Sequence, residues 1–600
     1  MPLIELKDFN FSYASTDGSE KTFECLHDIN LEINYGDFVL LCGPSGCGKT
    51  TLLSNLKKEL IPNGLRSGIA RYNGIGISQL DDETSACEIG YLFQNPDSQI
   101  VTDTVIQEIA FPLENIGVSS EEIRNRISEL AAFFGLNDIL HKNVNELSGG
   151  QKQLVNLCSL LVLRPKVLLL DEPMSQLDPI ASYDFLSILR RLNEEFSITI
   201  LISEHKSDNI FSFVDKVVFM ENGRIKYDKN PREVSKTAFE DDVFKHYLPQ
   251  VAKIHNLLGA RHSQLSKMEM PLSIREARRS LNTIHDDLIK ISEDGEKNQN
   301  PDLAHVDSDN NSHKKSIFSR KANDSIIRMN GIYFAYIKGH LVLKNLDFDL
   351  KKGDFIGIIG GNGVGKSTFL QLMCGLLKPI KGKVKYQKNL NIAYVHQNPM
   401  IHFSRDNVKA ELVKNLDIDS DVKSKLVEMD DEDFINSKTL NGLNFNNLNF
   451  KFKDLIEFFG ISHLLSQHPY DCSGGEQQKI VIIQALLKDA DVLVLDEPTK
   501  GLDPISSLNL SKELNELNGN GLTIVMTSHD LDFVANNCRR CLMFFDMNIQ
   551  IDSPPKEIFR ENNFYTTFVN RMVKDYIPQA VTIDDVCSLW DLDGSSLELK

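Results

Sequence analysis

Long apolar stretches are missing from this 600-residue sequence. It contains no run of 18 or more uncharged apolar residues, so the sequence predicts no transmembrane helix. Residues 1–8 also lack the apolar core of a secretory signal. We therefore expect the chain to be made and kept in the cytosol.

An excess of basic residues is missing as well. Lys and Arg number 65 against 84 Asp and Glu, which gives a formal net charge of −19 and a pI of about 5.3. Proteins that bind nucleic acid usually present a basic surface. The composition therefore argues against a nucleic-acid partner.

A cysteine framework is the third absence. The ten cysteines are scattered along the chain, as expected of reduced thiols. Cys538 and Cys541 have C-x-x-C spacing, but no second pair and no neighbouring histidine accompanies them. We interpret both as structural residues.

Two copies of one glycine-rich sequence are the main positive feature. Residues 43–50 read GPSGCGKT and residues 360–367 read GGNGVGKS. Both match the P-loop pattern G-x-x-x-x-G-K-[ST]. An apolar, strand-like run precedes each copy, at 38–42 and 355–359, and a helix-like stretch follows each copy. This context predicts two nucleotide-phosphate sites in one chain.

The residue types of the P-loop explain its chemistry. Glycines let successive backbone N–H groups point at phosphate oxygens, and the following helix adds the positive end of its dipole. Lys49 and Lys366 are placed to neutralise the β- and γ-phosphates. Thr50 and Ser367 offer hydroxyl groups to Mg²⁺.

The repeat extends well beyond the P-loops. Four further segments recur in the same order in both halves: FSY at 11–13 and FAY at 334–336, QNP at 94–96 and 397–399, SGG at 148–150 and 473–475, and an apolar run that ends in DEP at 171–173 and 496–498. We therefore predict a first domain at 1–260, a helix and flexible linker at 261–324, and a second domain at 325–600.

Two segments outside the matched motifs have a character of their own. Apolar residues recur at helical spacing over 274–291, which predicts an amphipathic helix. It either packs against the first domain or lies on a membrane surface. Residues 417–453 lengthen the second half and are rich in Asp, Asn and Lys, which favours a solvated insertion over a dedicated binding element.

Carboxylates at the end of a buried strand predict the hydrolytic centres. They are Asp171, Glu172, Asp496 and Glu497. In each pair the aspartate is placed to hold Mg²⁺, and the glutamate is placed to act as a general base for water. His205 and His529 follow strand-like runs at nearly matched offsets from these glutamates, and we interpret them as γ-phosphate contacts.

The whole series of motifs resembles the ATP-binding subunit of ABC transporters. A Walker A loop, a Q-loop glutamine, an SGG signature, Walker B carboxylates, a D-loop and a switch histidine occur in this order, twice. The signatures are LSGGQ at 147–151 and CSGGE at 472–476, and the D-loops are 175–178 and 500–503. The resemblance covers nearly the whole chain outside the linker.

This resemblance implies a fold. We expect an α/β protein with two P-loop NTPase domains of the ABC type. Each would have a RecA-like parallel-sheet core, an antiparallel β subdomain and a helical subdomain. The chain would be an ATPase that uses ATP and Mg²⁺.

The resemblance also assigns residues to the nucleotide. Those implied to bind ATP are Tyr13, Gly43, Ser45, Gly46, Gly48, Lys49, Thr50, Thr51, Gln94, Ser148, Gly149, Gly150, Gln151 and Asp171 in the first half, and Tyr336, Gly360, Asn362, Gly363, Gly365, Lys366, Ser367, Thr368, Gln397, Ser473, Gly474, Gly475 and Asp496 in the second. The implied Mg²⁺ ligands are Thr50, Gln94, Asp171, Ser367, Gln397 and Asp496. Tyr13 and Tyr336 match the aromatic position that stacks on adenine, with a role in the core as the alternative.

A head-to-tail pairing of the two halves is a further implication. The signature of each half would close over ATP held by the P-loop of the other half, and hydrolysis would release the halves. Glu172, His205, Glu497 and His529 are all present, so we predict that both sites hydrolyse ATP. Cys472 and Glu476 depart from the usual Leu and Gln of the signature. The added carboxylate would slow the site that it joins or make the two sites unequal.

Residues 93–111, which begin FQNPDSQIV, resemble the energy-coupling-factor importers of vitamins and transition-metal ions. In that group, the segment after the Q-loop forms a groove for a helix of the membrane subunit. The resemblance implies a peripheral ATPase on the cytoplasmic face of the cell membrane, with an integral-membrane subunit and a membrane substrate-binding subunit as partners.

The second half departs from this pattern after Pro399. Two alternatives therefore stay open: a soluble twin-ABC ATPase that acts on ribosomes or nucleic acid, and the ATPase of an ABC exporter.

Overall fold

The computed structural model describes residues 1–14, 22–205, 208–289, 325–337, 339–416, 418–443, 450–563 and 565–597. The linker predicted around 293–323 lies outside these residues. The chain forms two compact units. The first comprises Met1–Ala277 with Asp503–Ile505 and Ser596–Lys600, and the second comprises Arg278–Leu502 with Ser506–Ser595.

The strands repeat in the same order in the two halves. In the first half they are β1 Ile4–Ala14, β2 Thr22–Ile33, β3 Phe38–Cys42, β4 Gly64–Tyr72, β5 Ile75–Gly76, β6 Ile89–Leu92, β7 Val167–Asp171, β8 Thr199–Ser203, β9 Lys216–Glu221 and β10 Arg224–Lys229. In the second half they are β11 Ser325–Phe334, β12 Leu343–Lys351, β13 Phe355–Ile359, β14 Lys381–Tyr386, β15 Ile392–Val395, β16 Val492–Leu495, β17 Thr523–Thr527, β18 Arg540–Phe545 and β19 Asn548–Ser553.

Each half has one six-stranded sheet and one smaller antiparallel sheet among its described residues. The large sheets have the orders β10-β9-β3-β8-β7-β6 and β19-β18-β13-β17-β16-β15. All neighbours in them are parallel except the edge pairs β9–β10 and β18–β19. The antiparallel sheets have the orders β2-β1-β4-β5 and β12-β11-β14. The large sheets therefore have the same topology, and among the described residues the antiparallel sheets differ in β5, which has no counterpart in the second half.

The strand before each P-loop is central to its large sheet. All residues of β3 and of β13 are buried. Continuous apolar strands of this kind are typical of parallel sheets that are covered on both faces. The structure confirms the predicted strands at 38–42 and 355–359 and the predicted α/β class.

The helices cover these sheets and extend from them. In the first half they are Lys49–Asn55, Asp82–Glu88, Val105–Asn115, Ser120–Phe134, Gly149–Leu161, Pro179–Phe196, Pro231–Thr237, Gln250–Arg261, Ser263–Ser266 and Ile274–Asn282. In the second half they are Lys366–Met373, Val408–Val413, Ser420–Glu428, Asp431–Ile435, Lys438–Asn441, Phe452–Phe458, Gly474–Leu486, Pro504–Gly519, Leu531–Asn537, Pro555–Glu561, Phe568–Val573 and Ile583–Leu589.

Residues 420–441 of the lengthened segment are folded rather than merely solvated. Three short helices occupy 420–441, and Leu426, Phe434 and Leu440 are almost fully buried in the core of this half. The ammonium group of Lys409 also pairs with Asp431 at 2.9 Å. The polar composition of this segment did not predict that these three apolar residues are buried.

The amphipathic segment that begins at Ile274 is packed against protein. Ala277, Leu281, Ile284 and Leu288 are all buried, so the segment packs against protein rather than lying on a membrane surface. The prediction that it packs against the first domain is wrong for residues from Arg278 onward, which belong to the second unit, where Arg278 donates to the carbonyl oxygen of Arg571. The predicted helix is shorter than its apolar pattern, because it ends at Asn282.

Candidate functional site

Each P-loop is shaped by glycines whose conformation other residues rarely adopt. Gly43 has a φ of 155°, and a Cβ atom there would lie 2.2 Å from the carbonyl oxygen of Met220. At Gly360, with a φ of 149°, a Cβ atom would lie 2.7 Å from the carbonyl oxygen of Phe544. Both positions therefore require glycine, and the loop backbone passes close to the neighbouring strand end.

The P-loop lysines are buried and bonded to their own loops. The Nζ of Lys49 donates to the carbonyl oxygens of Gly43 and Pro44 at 2.9 and 3.2 Å. The Nζ of Lys366 donates to those of Gly360 and Gly361 at 2.9 and 3.0 Å. Both positive charges are thus fixed at the loops, as the motif predicts.

The two Walker B aspartates have matching surroundings. The hydroxyls of Thr50 and Ser203 donate to Oδ1 of Asp171 at 3.1 and 2.8 Å. The hydroxyls of Ser367 and Thr527 donate to Oδ1 of Asp496 at 3.2 and 2.7 Å. Hydroxyl and carboxylate oxygens are the ligands that Mg²⁺ prefers, so the residues present fit this ion.

A tyrosine completes each aspartate cluster. The hydroxyl of Tyr91 donates to Oδ2 of Asp171 at 3.4 Å, and that of Tyr394 to Oδ2 of Asp496 at 2.9 Å. Neither tyrosine was predicted from the sequence. Their common position, three residues before the Q-loop glutamine, was the available signal.

Each of the two glutamates contacts a histidine that was predicted as a γ-phosphate contact, a role that stays a prediction. Nε2 of His205 lies 2.7 Å from Oε1 of Glu172, and Nε2 of His529 lies 3.2 Å from Oε1 of Glu497. In the first half, Nε2 of Gln94 also donates to Oε2 of Glu172 at 2.8 Å. Among the described contacts, no such bond joins Gln397 to its glutamate.

Both glutamates have an unusual backbone. Their φ angles are 43° for Glu172 and 52° for Glu497, in the left-handed region. This conformation costs a non-glycine residue about 1 kcal/mol or more. The N–H of Glu172 donates to Ser203 Oγ at 2.9 Å, and that of Glu497 to Thr527 Oγ1 at 2.8 Å, which holds both residues in place.

The electrostatics of the two glutamates differ. Burial alone would raise the pKa of Glu172, but the hydrogen bond and charge of His205 bring it below its ordinary value. Burial raises the pKa of Glu497 to about 7, against the opposing charge of Lys366. The pKa of Asp171 is also raised, because this residue is buried and lies beside Glu172.

The signatures begin helices in both halves. The hydroxyls of Ser148 and Ser473 cap the helices Gly149–Leu161 and Gly474–Leu486, each with a reciprocal bond from the residue three positions later. In the first half that residue is Gln151, whose Oε1 accepts only the N–H of Ser148. In the second half, Oε2 of Glu476 accepts both the N–H and the hydroxyl of Ser473, at 2.7 and 2.8 Å.

The two candidate adenine-stacking tyrosines contact the residue after the P-loop. The hydroxyls of Tyr13 and Tyr336 lie 2.9 and 3.2 Å from Oγ1 of Thr51 and Thr368. Tyr336 is 61% exposed, which does not suit a core residue. Stacking on adenine stays a prediction, as does the pairing of each P-loop with the signature of the other half.

Comparisons with known proteins agree with this geometry. The family model described as "ABC transporter" matches residues 26–175 and 343–500. The chain belongs to the ABC transporter family. A Bacillus anthracis protein named as an ABC transporter ATP-binding protein is 39% identical over 595 residues, with 97% of each chain covered. A Methanosarcina acetivorans protein with the same name is 30% identical, over 93% of this chain and 85% of its own.

A solved structure shares the two-domain fold. It is the archaeal ribosome recycling factor aABCE1, solved in complex with the ribosomal stalk protein aP1. The TM-score is 0.53 at 19% identity, over 95% of this chain and 98% of that chain. The two matches of the family model show that the chain contains two ABC ATPase domains. Within the described part of the chain, no helix is both long and apolar enough to cross a bilayer.

Proposed function

We propose that this chain is the ATP-hydrolysing subunit of an ABC importer of the energy-coupling-factor type, for a vitamin or a transition-metal ion. It would act at the cytoplasmic face of the cell membrane with a separate integral-membrane subunit. The observation that carries the proposal is that each half keeps a hydroxyl bonded to an aspartate and a histidine in contact with a glutamate. A motor that hydrolyses ATP at two sites needs both sets.

The residues of the first half have distinct roles in this reaction. Glu172 is ionised at neutral pH and accepts the proton of the attacking water. His205 fixes the carboxylate of Glu172, and Lys49 neutralises charge on the phosphates. Thr50 and Asp171 would hold Mg²⁺, which when bound would further neutralise the β- and γ-phosphates. Ser367, Asp496, Glu497 and His529 would act in the same way in the second half.

A direct link from the catalytic glutamate to the surface supports the transport part of the proposal. Nε2 of Gln94 donates to Glu172. In the segment that follows Gln94, Val101 is 67% exposed. In the second half, the segment after Gln397 exposes Ile401 to 65%. We propose that these apolar residues bind the membrane subunit, so that a change at Glu172 reaches the partner through Gln94.

The hydrolytic assignment has a direct test. The double variant Glu172→Gln/Glu497→Gln keeps the shape of both sites but removes both bases. We expect its ATPase rate to fall by about a hundredfold or more, with ATP binding retained, because a general base contributes about 10²–10⁴-fold. Undiminished ATPase activity in this variant would overturn the assignment.

The transport assignment needs the native cell. We expect the tagged chain to co-purify with an integral-membrane protein from solubilised membranes, and Val101→Asp/Ile401→Asp to lose that partner while keeping its ATPase activity. Sedimentation with ribosomes instead of membranes would favour the soluble twin-ABC alternative. Recovery of the chain wholly free of membranes would contradict the import role.

A further inference from the structure

One buried carboxyl group beside the first catalytic pair belongs to none of the motifs. Glu204 lies between Ser203, the last residue of β8, and His205, and only 5% of its surface is exposed. Its N–H donates to the carbonyl oxygen of Leu41 at 3.2 Å, and its own carbonyl oxygen accepts from Cys42 Sγ at 3.2 Å. The main chain of Glu204 is thus fixed against the strand that leads into the P-loop.

The side chain of Glu204 bridges the two segments that carry the catalytic pair. Its Oε1 accepts the N–H of Met174 at 2.9 Å. Met174 follows Glu172 by two residues, at the start of the D-loop segment. The N–H of His205 also faces the carboxyl group. A buried polar group is costly unless it is bonded, so these contacts account for its presence.

The second half builds the same bridge from different atoms. Ser528 occupies the position of Glu204, and Thr499 occupies that of Met174. The hydroxyls of Thr499 and Ser528 lie 3.1 Å apart, and both residues are buried. Both members of the pair differ between the halves while the connection persists, which indicates that the connection matters rather than either residue alone.

We propose that Glu204 is a positioning residue of the first ATP site. Its carboxyl group ties the main chain at Met174 to the strand end at His205, and so keeps Glu172 and His205 in register during turnover. This positioning role rests on the proposed ATP hydrolysis at the first site. The second site makes the equivalent connection with the hydroxyl groups of Thr499 and Ser528.

The bridge also makes the first site sensitive to alkaline pH. Burial raises the pKa of Glu204 to about 8; the N–H of Met174 opposes the shift and the charge of Glu172 adds to it. Asp171, His205 and the thiol of Cys42 are the other titratable groups near this carboxyl. At neutral pH the group is mainly uncharged. Above about pH 8 it adds a negative charge beside Glu172, which disfavours the geometry for hydrolysis.

The first experiment exchanges one bridge for the other. In a Glu497→Gln chain, where only the first site turns over, Glu204→Ser removes the carboxyl bridge. We expect kcat to fall by about fivefold or more with a change in KM for ATP below about twofold, because no group that contacts ATP is altered. Adding Met174→Thr creates the hydroxyl pair of the second half and should recover at least about half of the lost kcat.

The matched control is Met174→Thr alone. It leaves the main-chain N–H of Met174 and the carboxyl group of Glu204 in place, so it should reduce kcat by less than about twofold. If Glu497→Gln abolishes all turnover, the same series is measured with both glutamates intact.

A second experiment does not depend on the serine variant folding. Glu204→Gln keeps the acceptor oxygen but cannot ionise. We expect this variant to retain most of kcat at pH 7. Above about pH 8 its kcat should fall less than that of the parent chain, because residue 204 can no longer ionise. An unchanged kcat in Glu204→Ser, or a pH profile in Glu204→Gln that coincides with that of its parent, would overturn the positioning role. Wild-type activity in Glu172→Gln/Glu497→Gln would instead show that the proposed site itself is wrong.

Discussion

The surroundings of Asp171 and Asp496 are nearly identical, whereas those of the neighbouring glutamates are not. Each aspartate accepts hydrogen bonds from three hydroxyl groups, one in the P-loop, one on the adjacent strand and one on a tyrosine. Glu172 is bonded to both a glutamine and a histidine, and its pKa is lowered. Glu497 has a longer contact to its histidine, and its pKa is raised.

This contrast separates two parts of the site. The part proposed to hold the metal and the phosphates has the same geometry in both halves, as expected if small changes there remove binding. The part that activates water tolerates different partners, because a slower site still allows ATP to bind. We therefore expect the first half to contribute more turnover than the second.

The largest effect should come from the single glutamate variants. Glu172→Gln and Glu497→Gln each remove the base of one site, and each affected site should slow by about a hundredfold. The remaining activity in each variant then reports the other site. We expect Glu172→Gln to leave less steady-state ATPase activity than Glu497→Gln. A greater loss of ATPase activity in Glu497→Gln than in Glu172→Gln would show that the second half contributes more turnover.

The next effect concerns the Q-loops. Gln94→Ala removes a hydrogen bond to Glu172, whereas Gln397→Ala removes no described bond to Glu497. A hydrogen bond to a charged group contributes about 1.5–3 kcal/mol. We expect Gln94→Ala to lower kcat by about tenfold and Gln397→Ala to lower it by about twofold. Equal losses in the two variants would show that the contact at Glu172 has no role in turnover.

A smaller effect should follow from exchanging the signature residues. Glu476→Gln frees the hydroxyl of Ser473 from its bond to the carboxylate, and Gln151→Glu creates that bond for Ser148. We expect kcat/KM for ATP to rise by about threefold in the first variant and to fall by about as much in the second. The double exchange should restore the wild-type value, and a change of the same sign in both single variants would contradict this account.

The smallest effect is one of stability and pH. His255 is buried in the first half; burial lowers its pKa to about 4, against a bond to the backbone of Leu265, and the charge of Lys236 adds to the shift. The unfolded chain takes up a proton below about pH 6.5 that the folded chain does not, so stability falls as the pH is lowered. Between pH 6.5 and 5 the first unit should lose about 1–2 kcal/mol.

Calorimetry of the intact chain tests this expectation. His255→Gln should remove most of the acid-induced loss from the transition of the first unit and leave the second transition unchanged. Residues 249–254, PQVAKI, weakly match residues 578–583, PQAVTI, and this alignment places Asp584 of the second half opposite His255. Equal acid sensitivity in His255→Gln and wild type would rule out His255 as the cause.

Much of this arrangement followed from the sequence because it depends on local order. Strand, glycine loop and helix are consecutive, and β3 and β13 begin and end at the predicted residues. The glutamates and histidines stood out at nearly matched offsets after strands that lie side by side in a parallel sheet, but their direct contact was not predicted. The hydrogen bonds between Tyr91 and Asp171 and between Met174 and Glu204 join segments that are distant in the chain. No local sequence pattern predicts them.

The left-handed backbone of Glu172 and Glu497 has a consequence for engineering. A glycine adopts this conformation without strain, and asparagine does so more readily than glutamate. The acid is therefore present at both positions for its reactivity and at some expense of thermal resistance. Selection for thermal stability alone, without selection for activity, would favour glycine or asparagine at these two positions. The selected protein would be more stable but inactive.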